Sequence, residues 1–228
     1  ENLAFGIGTV SPVIAGNAGP ASFTLWGTGL GRVEEARAVS PTGAVLVATN
    51  LQPNADGTLA VTFDLDGAAT GAYAIEVTDG RATSSLPAAF RVLAARAGTV
   101  RTTLFVPGMA RPSGTGTTFI TFANDGLSDV VAPIYRVRSR GVAAPADGPY
   151  PVGDFTVAAS VPGAPVGIIP PGASVRIEIP WTQAGASVDG LGPGVATPRG
   201  AAYGFLVDEY GPGSIAPYDP AADYAEEL

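Results

Sequence analysis

The sequence predicts an all-β chain of two tandem β-sandwich modules joined by a short linker. Three observations carry this. Short alternating or β-branched runs bounded by Gly, Pro, Asn and Asp recur throughout, and helical periodicity is nearly absent. The chain has 228 residues, more than one sandwich of roughly 100 residues requires and enough for two. Hydrophobic residues make up 46% and charged residues 14%, so the 31 glycines and 21 prolines read as turns between buried strands, not as a chain unable to form a core.

In the first module the clearest strands are residues 22–26, 45–49, 59–65 and 72–78. Over 59–65 the side chains of Leu59, Val61, Phe63 and Leu65 share one face, with Thr62 and Asp64 on the other, the pattern of a half-buried strand. Tyr73, Ile75 and Val77 repeat it after the turn that ends at Gly71. Gly27 and Gly29 allow a sharp bend, with Trp26 and Leu30 expected to anchor it in the core. Residues 94–98 read as the linker, which gives modules at 1–95 and 96–228. In the second module 117–123 and 174–179 are strands, beside the turn signals Asn124-Asp125-Gly126 and Pro170-Pro171-Gly172. The pattern loosens after Trp181. The tail from Asp219, with Pro220 at a first helical position, is expected to start a short helix leading into a following domain.

Composition excludes several chemistries. With no Cys and no His, the chain lacks the commonest metal ligands, the usual general base and any thiol nucleophile. All twelve basic residues are Arg, which with the abundance of Ala, Gly, Pro and Val suggests a GC-rich genome. The net charge of −8 argues against nucleic-acid binding. The one basic cluster, Arg136, Arg138 and Arg140, has the spacing of a single strand face and reads as solvated surface. No apolar run is long enough to cross a bilayer, and no signal peptide is recognisable. A start at Glu1 suggests a mature product or an excised piece.

Acidic residues are the only source of a metal site, through oxygen ligands to calcium. The candidate groups are Asp64/Asp66, Asn124/Asp125/Asp129 and Asp208/Glu209, but none has calcium-loop spacing, and turn chemistry accounts for the first two. No metal, cofactor or catalytic residue is assigned, and stability is expected not to need a metal. No carboxylate pair stands out as a glycosidase pair. The stretch from Gly27 to Gly31 lacks the Lys-Ser/Thr and the following helix of a phosphate loop. Among the aromatics Tyr150, Phe155, Trp181, Tyr203, Phe205, Tyr210, Tyr218 and Tyr224, packing is the expected role. The candidate ligand-binding set, should some line a sugar-binding face, is Trp181, Tyr203 and Tyr210.

Two resemblances follow from the motifs. Gly8-Thr9-Val10-Ser11-Pro12, a Gly/Asn/Pro turn over 16–20, the run from Ser22 through Gly27-Thr28-Gly29-Leu30, the hairpin at Gly71 and the closing run 86–92 resemble the IPT/TIG family over about residues 6–93. Ala123-Asn124-Asp125-Gly126 with the later Pro170-Pro171-Gly172 turn and strand resembles the CARDB-like repeats of bacterial surface proteins over roughly 99–182. The resemblances imply two tandem immunoglobulin-like sandwiches. They also imply a non-catalytic structural or adhesive module of a larger secreted or surface-displayed bacterial protein, acting as a spacer or protein-docking unit. Partners would be a protein or a cell-surface glycan, together with flanking domains of the parent chain. A carbohydrate-binding module is the alternative. DNA binding, known among IPT/TIG relatives, is disfavoured by the acidic balance, and no membrane insertion is expected.

Overall fold

The computed structural model describes residues 5–94, 96–107, 115–140, 142–143, 154–183 and 204–210. The protein is all-β, and no α-helix occurs among the described residues. The C-terminal segment expected to be helical, and most of the region after Trp181, lie outside them.

In chain order the first strands are β1 (Gly6–Ser11), β2 (Ile14–Gly16), β3 (Pro20–Thr28), β4 (Glu35–Val39), β5 (Val45–Val47), β6 (Asn50–Pro53), β7 (Leu59–Asp64), β8 (Gly71–Thr78) and β9 (Thr83–Leu93). They form two sheets, β1-β3-β7-β6 and β2-β9-β8-β4-β5. Every pairing is antiparallel except β2 with β9, which is parallel. A four-stranded sheet facing one built on β9-β8-β4 is the strand order of an immunoglobulin-like sandwich. The alternation read from the sequence explains the packing. Leu59, Val61, Phe63 and Leu65 are all fully buried, and so are Tyr73, Ile75 and Val77 from the opposite sheet. Phe90 lies among the aromatics, with ring centroids 4.3 Å from Phe23, 5.4 Å from Tyr73 and 6.3 Å from Phe63. The Tyr73 hydroxyl donates to the Ala69 carbonyl, which satisfies its polar end.

The Gly27 and Gly29 bend is as expected. A Cβ on Gly27 would overlap the Gly6 carbonyl oxygen, and Gly29 takes a φ of 74°. Leu30 is buried, but Trp26 is not the core anchor expected of it, being 41% exposed. The reason is parity. Ala21, Phe23 and Leu25 of β3 fill the core, so Ser22, Thr24 and Trp26 emerge on the outer face.

The remaining strands are β10 (Val100–Phe105), β11 (Thr115–Asn124), β12 (Val130–Val131), β13 (Ile134–Arg140), β14 (Val142–Ala143), β15 (Asp154–Ala158), β16 (Ile168–Ile169), β17 (Ser174–Gln183) and β18 (Gly204–Tyr210). The compact units do not divide at residues 94–98. One unit holds the first sandwich together with residues 96–107, 117–132 and 159–180, hence β10, the body of β11, β12, β16 and most of β17. In it β10 pairs antiparallel with β11, β17 follows β11 in sheet order, and β12 pairs with β16. The other unit holds residues 115–116, 133–140, 142–143, 154–158, 181–183 and 204–210. There β13 lies between β15 and β18, and β14 pairs with the end of β17.

Candidate functional site

Within the first unit, the outer face of β3 is roofed by the turns that follow β11 and precede β16. The neighbouring positions on that face are small or hydroxylic. The register sets Thr24 opposite Ser11 and Ala60, and Ser22 opposite Thr62. Ser22, Thr24 and Ala60 are buried although they point away from the sandwich core. Their cover comes from residues 125–130 and 161–165. Ser22 N donates to Asp129 Oδ1 at 2.8 Å and Ser22 Oγ to Oδ2 at 2.6 Å, while Asp129 N donates to the Pro20 carbonyl at 2.8 Å. Thr24 Oγ1 donates to the Gly163 carbonyl at 2.8 Å, and Asn54 Nδ2 donates to the same oxygen at 3.2 Å. At the sandwich end, Gly16 N donates to the Leu127 carbonyl at 2.6 Å.

Asn124 builds the turn that delivers Asp129. It is 1% exposed, and its Nδ2 donates to the carbonyls of Ser128, Ile169 and Pro170. Its Oδ1 accepts from Gly126 N and Thr99 N. One side chain thus gathers the turn, the strand-leading Pro170 segment and the end of the linker. Leu127 N donates to the Arg96 carbonyl, and Asp125 N to Thr99. Gly126 does not take the positive φ for which a turn glycine is usually required. Its role is instead close approach, since a Cβ there would overlap the Ala97 carbonyl oxygen. Gly98 is enclosed in the same way, a Cβ lying 2.6 Å from the Ser128 carbonyl oxygen. The segment read as a linker is therefore a packed part of this joint.

Electrostatics set Asp129 apart from its neighbours. Burial pushes its carboxyl up to about 6 despite the two hydrogen bonds from Ser22, which favour the anion. Asp125, exposed and bonded by the Arg101 guanidinium at 2.7 Å, is held below the usual carboxylate range. Asp208 and Glu209 lie within strand β18, whereas Asp64 and Asp66 behave as turn residues. Asp66 N donates to Asp64 Oδ1, and Gly67 takes a φ of 65°. Among the described residues no group of three or more acidic side chains is placed to hold a metal ion.

Trp181 is 2% exposed, and a Cβ on Gly116 would overlap its indole, so it is packed against β11 and presents no open platform. Tyr210 ends β18 opposite Ile134. Tyr203 lies outside the described residues. Arg136 and Arg138 are half-buried on the central strand of their sheet, not a solvated row; the register sets Arg136 opposite Asp208 and Arg138 opposite Asp154. The aromatic surface that the sequence reading missed is on β10 and β11. Phe105 is 59% exposed, its ring centroid is 5.9 Å from that of Phe119 at 35°, and the Arg176 guanidinium lies 3.5 Å over Phe119. Its signal was available: Phe105 and Phe119 sit at equivalent positions of two neighbouring alternating runs.

No family model matches the chain, and no curated protein matches it. Among solved structures it is similar to a Salmonella alpha-2-macroglobulin mutant, at 11% identity and a TM-score of 0.29, over 79% of this chain and 15% of that one. It is also similar to the titin domains z1z2 in complex with telethonin, at 14% identity and a TM-score of 0.22, over 75% of this chain and 93% of that one. Likenesses this distant add nothing to the fold read from the strand order.

Proposed function

We propose that the chain is a non-catalytic structural and adhesive module of a larger secreted or surface-displayed bacterial protein, acting as a spacer or protein-docking unit. The observation that carries this reading is the roofed face of β3. A spacer sets the position of what it joins only if its parts do not hinge. Here the first sandwich and the β10-β11-β17 sheet are tied by backbone and side-chain hydrogen bonds at Gly16, Pro20, Ser22 and Thr24. The bacterial and extracellular setting is inferred from the resemblance to IPT/TIG and CARDB-like motifs, and the flanking domains would be further modules of the same chain. Limited trypsin digestion tests the joint. Arg96 is exposed and lies in the only sequence stretch that reads as a linker. Because its carbonyl and its neighbours are bonded into the 124–129 turn, we expect the 96–97 bond to resist cleavage in the native chain. Rapid, quantitative cutting there, with the two pieces separating, would sink the reading.

Carbohydrate binding stays as a second reading because of Phe105 and Phe119, whose ring centroids lie 5.9 Å apart on β10 and β11, Phe105 exposed and Phe119 half-buried beneath the Arg176 guanidinium. A glycan array of the wild-type chain against Phe105→Ala decides it: a hit lost in the variant supports it, and silence across the array removes it.

A further inference from the structure

Asp129 is half-buried against the fully buried Ser22, and its carboxyl can be held there either ionised or protonated. Its two oxygens meet Ser22 N and Ser22 Oγ, and Ser22 Oγ lies 2.7 Å from Thr62 Oγ1, with either hydroxyl able to donate. That relay works in both protonation states. With the carboxylate ionised, Ser22 Oγ donates to it. With the carboxyl protonated, its O–H donates to Ser22 Oγ, which donates onward to Thr62. No hydrogen bond need be lost when the proton arrives. Among the described residues no cation is placed to offset the charge. On β3 the neighbours are Pro20, Ser22 and Thr24. On β7 they are Thr62 and, at its exposed end, Asp64; opposite Thr62 on β6 is Asn50. On its own turn the nearest titratable group is Asp125, which Arg101 engages, and Arg96 acts on Asp125.

We propose that the Ser22–Asp129 pair is a proton-sensitive latch, which holds the 124–129 turn to β3 most firmly in acid and loosens as the carboxyl ionises. The latch deepens the joint on which the proposed function rests, since it would make the stiffness of the module depend on the acidity of the medium. Burial pushes the carboxyl up to about 6 when the latch is closed, against an ordinary carboxyl value when the turn is lifted into water. The closed state therefore binds more protons than the open one between those values, and closure weakens as pH rises through that window and then levels off.

The test is amide hydrogen exchange at Ser22 and Asp129 in the full chain, corrected for intrinsic rates, with the Asp129 carboxyl followed by carbon NMR. From about pH 4.5 to about pH 7.5 the opening equilibrium should rise on the order of thirtyfold in the wild type. Asp129→Asn, whose carboxamide resembles the protonated acid, should keep its acid-level protection throughout. Asp64→Asn, which removes an exposed carboxylate on the same face, should behave as wild type. A wild-type carboxyl titrating at its ordinary value, or protection that does not change with pH, overturns the latch while leaving the joint standing. Free exchange at both amides at every pH would overturn the latch and the joint together.

Discussion

At the residue scale, the side chain on which most of the joint depends is Asn124. It meets three carbonyls and two amides from three stretches of chain in a dry setting. Asn124→Ala would strand those groups, so we expect a loss of about 2–4 kcal/mol in urea unfolding. Asn124→Asp should be no rescue, because a carboxylate cannot donate to the carbonyls. Gly126→Ala should cost at least about 2 kcal/mol by the same assay, since the added methyl meets backbone and not a side chain that can swing away. That Asn124-Asp125-Gly126 is a turn was legible from residue type alone. What the turn grips was not, because Asn and Gly advertise local chain geometry and say nothing about a strand a hundred residues away.

At the scale of the element, β3 shows how far alternation can be read. The pattern separates Ala21, Phe23 and Leu25 from Ser22, Thr24 and Trp26, and the structure keeps that separation. Which set meets solvent is a different matter. Hydropathy expects hydroxyls outside and tryptophan inside, yet Ser22 and Thr24 are covered by a turn from elsewhere in the chain while Trp26 stays in part exposed. Val45 and Val47 mislead in the same way. They are apolar, but they lie on an edge strand and are about half exposed. The consequence is measurable. Phe23→Ala should cost about 3–5 kcal/mol, whereas Trp26→Ser should shift stability by less than about 1 kcal/mol. A large loss on removing Trp26 would mean that its ring is engaged more fully than its exposure indicates.

At the scale of the whole molecule, the sandwich core is complete within residues 10–92. A chain cut to residues 1–95 should therefore fold cooperatively, but it would lose the roof over Ser22, Thr24 and Ala60. We expect it to melt several degrees below the intact first unit in calorimetry. An equal melting temperature would show the roof to be energetically idle. Motif order led to two sandwiches in tandem and to the strand alternation of the first. It could not show that the 96–107, 117–132 and 159–180 segments join the first sandwich in one compact unit, because the contacts responsible pair backbone groups, which every sequence possesses, with common polar side chains such as Ser22, Thr24 and Asp129 whose partners lie more than a hundred residues away.

The parallel match of β2 with the end of β9 sets Ile14 beside Arg91, Ala15 beside Val92 and Gly16 beside Leu93. Tension applied between Pro12 and Ala94 drags these two strands in opposite directions along their common axis. The load then falls on all the bridging hydrogen bonds together, in shear, instead of opening them one after another like a zipper. Force spectroscopy with handles at those positions should give a high, abrupt rupture. Handles placed at Gly43 and Ala94, which peel β5 from the sheet edge, should give a lower one. The sandwich would thus be strongest along the line on which a tethered chain is pulled.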